Sequence, residues 1–297
     1  MELYTLKDLF RDFGTTRQCL SAIAYLRWPD GIHCTKCNRV TRHHLVMSRK
    51  AFVCQHCKRK TSPTAGTILH STKVPLPDWM YVIWSMASTK TGIAAAQIQR
   101  ELGTSYPTAL RMCNLIRTVL KESQRFDDTC EVDETYMGNK RKWHNKRGRG
   151  TTKQPVFGIV EKGGSVYTEV VPNTKRDTVM PILERTVEKG VEVQTDEYGI
   201  YKTLPEMGYD HDTVQHKPRQ YVKYREDDST CHLQAIEGFW SYPKNAIKGV
   251  HRGVSDGHLQ GYINEYTFRY SHRNDTEPLF FSILRRVVGA VPSSQAA

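Results

Sequence analysis

Apolar residues recur at helical spacing over the first 28 positions: Leu6, Leu9, Phe10 and Phe13, then Cys19, Leu20, Ile23, Ala24 and Leu26, with Gly14 between the runs. The spacing predicts two short amphipathic helices, the second capped by Thr15 or Thr16. Trp28-Pro29-Asp30-Gly31 ends helix and begins a turn. After Pro75 and Pro77 the helical period returns through Trp79, Val82, Ile83 and Met86, with Asp78 placed to cap it. Ala94 to Leu102, a stop at Gly103, and a run from about Pro107 to Leu120 then read as helix, turn and helix. Such a pair resembles a helix-turn-helix offering Ser105, Tyr106, Thr108 and Arg111 to a DNA groove; two helices that merely pack together fit the pattern as well.

The period changes at Glu131-Val132-Asp133-Glu134-Thr135-Tyr136, which alternates polar and apolar positions and reads as a strand. It sets one carboxylate, Asp133, inside an element that otherwise expects burial, which is costly unless something cationic meets it. Further strands are expected at Val156 to Val160 and Val166 to Val171, joined through Gly163-Gly164, and at Val191 to Thr195. A helix with Val179, Ile182, Leu183 and Val187 falls before the last of these. Three strands, a helix and a strand ending at an acid, Asp196, fit an RNase H-like α/β mixed-sheet domain. A final helix carries Leu259, Tyr262, Ile263, Tyr266 and Tyr270 on one stripe, with Ser255 as its cap, and Arg269 and Arg273 at its basic end as dipole partners or phosphate contacts.

Composition sharpens this reading toward nucleic acid. Forty-three Lys and Arg against 31 Asp and Glu give a formal net charge of +12, which favours a polyanionic partner. No run of apolar residues is long enough to span a membrane, and the N-terminus lacks the basic and apolar regions of a secretory signal, so a cytoplasmic location with reduced cysteines is expected.

The cysteines are not scattered. Cys34 and Cys37, then Cys54 and Cys57, form two C-x2-C pairs sixteen residues apart, the spacing of a structural zinc site closed by four thiolates. Between Gly31 and Pro77 there is no Asp or Glu, while Lys36, Arg39, Arg42, Arg49, Lys50, Lys58, Arg59, Lys60 and Lys73 are cationic. One-signed charge on a zinc ribbon suits phosphate contact. A second acid-free basic run, Lys140, Arg141, Lys142, Lys146, Arg147, Arg149 and Lys153, follows the Asp133 strand directly. Asp133, Asp196 and a helix-borne Glu237 could together hold two divalent cations; oxygen ligands suit Mg2+ or Mn2+ rather than zinc.

The ordered set of motifs resembles the insertion-sequence transposases that join an N-terminal zinc ribbon to a DDE, RNase H-like catalytic domain. It is carried by Leu26 to Gly31 leading into the cysteine pairs, by Val132 to Gly138, by Thr195-Asp196-Glu197-Tyr198, by Ile236 to Ser241, and by His258-Leu259 with Phe268-Arg269-Tyr270. The resemblance implies catalytic and Mg2+-binding roles for Asp133, Asp196 and Glu237, and a DNA contact for Lys244, seven positions after the glutamate. It also implies double-stranded DNA as partner (element ends and target) and a homo-oligomer. Relatives carry Asn-Thr before the Ile-Glu pair, and in some that asparagine is taken as the third site residue. Here the pair is Gln234-Ala235, so Gln234 and Glu237 both stand for the third position, glutamine being the poorer cation ligand. Pro243 is expected to interrupt the helix one residue before Lys244.

The expected organisation is a helical lead-in over 1–28, a zinc ribbon over 29–74, a helix-turn-helix-like module over 75–126, the catalytic domain over 129–275 and a C-terminal helix and tail over 276–297. Two rival functions share these features: an inactive zinc-ribbon DNA-binding protein derived from a transposase, and an RNase H-like nuclease acting on hybrids.

Overall fold

The computed structural model describes residues 4–138, 151–214, 222–224 and 230–289. Lys140, Arg141, Lys142, Lys146, Arg147 and Arg149 lie outside the described residues. The chain forms two units, one of residues 1–119 with 274–297, the other of residues 120–273.

The first unit opens with α1 (Leu6–Phe13) and α2 (Thr16–Arg27), each begun by a threonine, Thr5 and Thr15, whose hydroxyl and backbone share a reciprocal capping box with Asp8 and Gln18. The ribbon follows as β1 (His33–Cys34), β2 (Arg39–Val40), β3 (His43–Val46), β4 (Ala51–Cys54) and β5 (Lys60–Thr61). Its strands pair as two antiparallel pieces, β1-β2 and β3-β4-β5. Next come α3 (Leu76–Ser88), α4 (Ala95–Leu102) and α5 (Tyr106–Val119). α3 starts at Leu76, ahead of Asp78, because Pro75 occupies the cap and Pro77 needs no donor in the first turn; Asp78 is therefore a first-turn acid and not the cap. Gly103 ends α4 in the left-handed conformation, φ 61°. The last helix among the described residues, α9 (Leu279–Val288), returns to this unit and packs on α3, with Phe280 stacked on Tyr4 at 4.9 Å between centroids.

The second unit is built on β6 (Cys130–Met137), β7 (Gln154–Glu161), β8 (Val166–Val170), α6 (Arg176–Thr186), β9 (Glu192–Thr195) and β10 (Asp210–Thr213). The sheet runs β10-β9-β6-β7-β8, with β6 to β8 antiparallel and β9 and β10 parallel to β6. This is the RNase H-like mixed sheet, and β6 is its central strand. A short antiparallel pair, β11 (Val222–Tyr224) and β12 (Thr230–His232), precedes α7 (Gln234–Gly249) and α8 (Leu259–Ser271).

Alternation along the strands splits the core in two. Val132, Phe157, Ile159 and Val193 join Val179, Ile182 and Leu183 of α6 on one face. On the other, Met137, Val156, Val160 and Val166 meet Ile236, Phe239 and Trp240 of α7 and Ile263 of α8. Burying apolar surface on both faces is what places α7 against β6 and β7.

Two local expectations are corrected and a third is resolved. α7 runs straight through Pro243, because that ring belongs to the buried stripe Ile236, Phe239, Trp240, Pro243, Ala246 and Ile247, whose packing outweighs one missing backbone donor. Ser255 does not cap α8; it opens a 3-10 turn over Asp256–His258, closed by His258 N–H on the Ser255 carbonyl at 3.0 Å. The two arginines at the end of α8 are engaged within the fold. Arg269 is buried and donates to Tyr242 Oη at 3.0 Å, and Arg273 donates to the Gly164 carbonyl at 2.6 Å.

Candidate active site and metal centre

In the ribbon, each cysteine pair sits on a tight knuckle. The residue after the second cysteine, Asn38 (φ 50°) or Lys58 (φ 61°), is left-handed and returns its N–H to the first cysteine's carbonyl, at 2.8 and 3.0 Å. The four sulfurs of Cys34, Cys37, Cys54 and Cys57 lie within 4.8 Å of one another. Cys34 to Cys57 is 3.4 Å and Cys37 to Cys54 is 3.9 Å. A tetrahedron with Zn–S bonds of about 2.3 Å has edges of about 3.8 Å, so the cage fits one zinc ion. The Thr41 hydroxyl, 3.1 Å from Cys54 Sγ, and the Cys57 N–H pull that thiol down to about 5; the Cys37 N–H lowers Cys34, whereas sulfur crowding, Cys57 first, pushes Cys37 up to about 12. Two thiols are thus biased toward the thiolate that binds metal. Around the cage, Lys36, Arg39, Arg42, Arg49, Lys50, Lys58, Arg59, Lys60 and Lys73 are all exposed.

The acids are held differently. Asp133 lies mid-strand on β6, Asp196 directly follows β9, and Glu237 is in the first turn of α7. Glu131 and Asp133, two apart on β6, face α7 together. Glu131 Oε2 accepts the Ile236 N–H at 2.9 Å and Asp133 Oδ2 accepts the Trp240 indole N–H at 3.0 Å. A strand spacing of two thereby grips a helix spacing of four, each close to 6 or 7 Å, and this fixes the register of α7 on β6. Directly across from Asp133 in the ladder is Gly158. A Cβ there would stand 2.4 Å from the Trp240 ring, so only glycine lets the indole reach the carboxylate.

Burial pushes the Asp133 carboxyl up to about 6; the negative charge of Asp196 adds to this, while the Glu134 N–H, Trp240 and Lys244 oppose it. Lys244 is lowered first by partial shielding from water and then by Lys153, while Asp133 and Glu237 raise it. Glu237, Trp240 and Lys244 sit at i, i+3 and i+7 on one stripe of α7. Asp196 accepts the Tyr198 N–H at 2.9 Å, a turn that fixes its carboxylate at the strand end. Glu134 points to the opposite face, where the buried Tyr201 hydroxyl donates to it.

The structure therefore brings Asp133 and Asp196 into each other's field and links Glu237 to Asp133 through Lys244. Among the described residues only the four cysteines gather three or more donor atoms within 4.8 Å, so the three acids are not drawn that close. Gln234 is exposed at the first position of α7, one turn before Glu237, also exposed. Arg111 and Tyr106 are exposed on α5. Sequence reasoning missed Glu131 and Gly158, and it gave Trp240 no part in holding Asp133. The signals were present: two acids at i, i+2 on one strand face, and a glycine inside an apolar strand.

Comparison with known proteins agrees with this layout. Residues 125–271 match the family model of the ISXO2-like transposase domain, and residues 14–60 match the transposase zinc-ribbon domain. An uncharacterized protein in transposable element ISH50 of Halobacterium salinarum is 24% identical over 279 residues, 87% of this chain and 92% of that protein. An uncharacterized transposase-like protein of Haemophilus influenzae is 26% identical over 123 residues, 41% of this chain and 93% of the relative.

Proposed function

Because the chain belongs to the ISXO2-like transposases, with the zinc-ribbon and transposase domains in one polypeptide, we propose that it binds the terminal inverted repeats of its element, frees their 3′-hydroxyl ends and joins them to target DNA. The supporting observation is that Asp196, just past the end of the strand that pairs with β6, adds its negative charge to the burial that raises the half-buried Asp133 carboxyl, an arrangement that calls for a cation.

Asp133, Asp196 and Glu237 would hold two Mg2+ (or Mn2+) ions. Bound there, the ions would activate the attacking water or 3′-hydroxyl and stabilise the leaving oxygen. Trp240 keeps the Asp133 carboxylate oriented, Glu131 keeps α7 in register, and Lys244 offers positive charge to a phosphate beside the acids. The ribbon cations, Arg111 and the basic run Lys140, Arg141, Lys142, Arg147 and Arg149 would carry the duplex through phosphate contacts, acting on DNA in the cytoplasm. Symmetric action on two ends favours a homo-oligomer. A second reading, a DNA-binding protein without cleavage activity, is favoured by one observation: the three acids are not gathered within 4.8 Å of one another.

An assay on end-labelled element termini, with Mg2+ present or withheld and scored for both nicking and joining, separates these readings. The proposal expects both products, only with the ion. Binding without either product supports the inactive protein, and cleavage confined to RNA–DNA hybrids supports a nuclease.

A further inference from the structure

A cavity of about 400 Å³ opens beside the end of β6, and its lining includes Met137, Lys153, Lys244, Ile247, Lys248 and Arg252. Four cations share this cavity, and no carboxylate is part of its lining among the described residues. Like charges so placed repel one another. No described acid forms an ion pair with any of the four. The neighbouring acid, Asp256, accepts instead from Gln154 Nε2 at 3.0 Å.

The arrangement is built into the backbone. Lys244 and Lys248 are one turn apart on α7, about 6 Å along its axis. Beyond the helix end the chain folds back, with His251 N–H on the Ala246 carbonyl at 3.1 Å and Gly253 N–H on the Ile247 carbonyl at 2.9 Å. That turn holds Arg252 at φ 51°, a left-handed conformation uncommon for a residue with a side chain, and brings this residue into the lining of the same cavity. Met137 and Ile247 are buried and supply an apolar floor. A cationic rim over an apolar floor, in a space of this size, matches one nucleotide unit: phosphate on the cations, sugar against the floor.

We infer that this cavity is a binding site for one backbone phosphodiester of the DNA strand that lies across the acids, with Lys248 and Arg252 as its specific cations. The inference rests on the transposase reading and deepens it. Lys244 lies one turn beyond Trp240, whose indole donates to Asp133, so the cavity begins beside the acids and extends away along α7. At about 3.4 Å of duplex axis per nucleotide, the linkage held by Lys248 and Arg252 lies roughly two to four nucleotides from the one at the acids.

The test uses the full chain and a duplex carrying the element's terminal repeat, with binding as the readout, so that a chain unable to cleave still reports on the cavity. Uncharged methylphosphonate linkages are placed one at a time over five positions on either side of the scissile bond. The wild-type chain should lose on the order of tenfold in affinity at one of them. A Lys248→Ala/Arg252→Ala variant should bind the all-phosphate duplex about tenfold more weakly, show a shallower salt dependence by about one counterion, and be indifferent to the methylphosphonate at that same linkage. Equal sensitivity of variant and wild type at every linkage would overturn the inference, as would a wild-type chain indifferent at all ten. Loss of nicking with the linkage-specific binding intact would fault the catalytic reading and leave the cavity's assignment standing.

Discussion

The ribbon cage and the acid site solve the same problem, holding anionic donors near one another, in opposite ways. In the ribbon the four sulfurs are gathered within 4.8 Å by two knuckles of neighbouring residues, so donors and scaffold are one local unit. In the second unit Asp133, Asp196 and Glu237 come from a central strand, the end of its neighbour and a helix, and each meets a neutral or cationic partner: Trp240, the Tyr198 N–H and Lys244. A closed thiolate set suits a permanent structural ion, whereas an open carboxylate set suits hard cations that keep waters and share substrate oxygens. A bound metal would supply the first site's stability; the second's must come from the sheet.

Removing zinc is the harshest way to break that contrast. Chelation, or Cys54→Ser, should unfold residues 32–61, because apparent zinc-binding free energies of about 10–16 kcal/mol are folding free energy in such modules. Hydrogen exchange should then show lost protection across β3 and β4, with β6 and β7 still protected. Metal analysis of the intact chain should return one zinc per polypeptide.

The acid site should show the reverse behaviour toward its own charge. Asp133 titrates near 6 when folded against about 3.8 when exposed, so between those values the native state binds more protons than the unfolded one. Stability without divalent ions therefore falls as pH rises from about 4 through 6. Asp133→Asn removes that dependence: the variant and the parent should melt alike near pH 4 and diverge by up to about 3 kcal/mol in the variant's favour at pH 7, with added Mg2+ narrowing the gap. Thermal melts at both pH values check the sign.

Smaller effects probe the scaffold. Gly158→Ala drives a methyl into the Trp240 ring and should cost about 1–3 kcal/mol in chemical denaturation while detaching the indole from Asp133. Glu131→Gln keeps an acceptor for the Ile236 N–H and should cost less than about 1 kcal/mol. If Glu131→Gln instead proved as damaging as Gly158→Ala, the carboxylate charge, and not the hydrogen bond, would be what sets α7.

These differences also explain what could be read from the chain. Cys34, Cys37, Cys54 and Cys57 declare their site through spacing alone, because the knuckles are local. The strand holding Asp133 and the one that ends just before Asp196 are legible for a related reason: strand alternation and turn glycines such as Gly163 and Gly164, both left-handed in the fold, are short-range signals. Contacts across the sheet are not short-range. That Gly158 faces Asp133 depends on the β6–β7 register, and that Trp240 enters the gap depends on where α7 docks. Pro243 was misjudged because the rule against internal proline is local, whereas the burial that overrides it is tertiary. Arg273 was open between roles until the fold placed its guanidinium on the Gly164 carbonyl.

The most direct test of the central claim, that Asp133 belongs to a metal-dependent DNA-joining centre, is strand transfer by Asp133→Asn under single-turnover conditions with pre-cleaved element ends and Mg2+. The account predicts a variant that binds the ends as the parent does, retains its zinc, and yields no joined product. Joining at the parent's rate would contradict it.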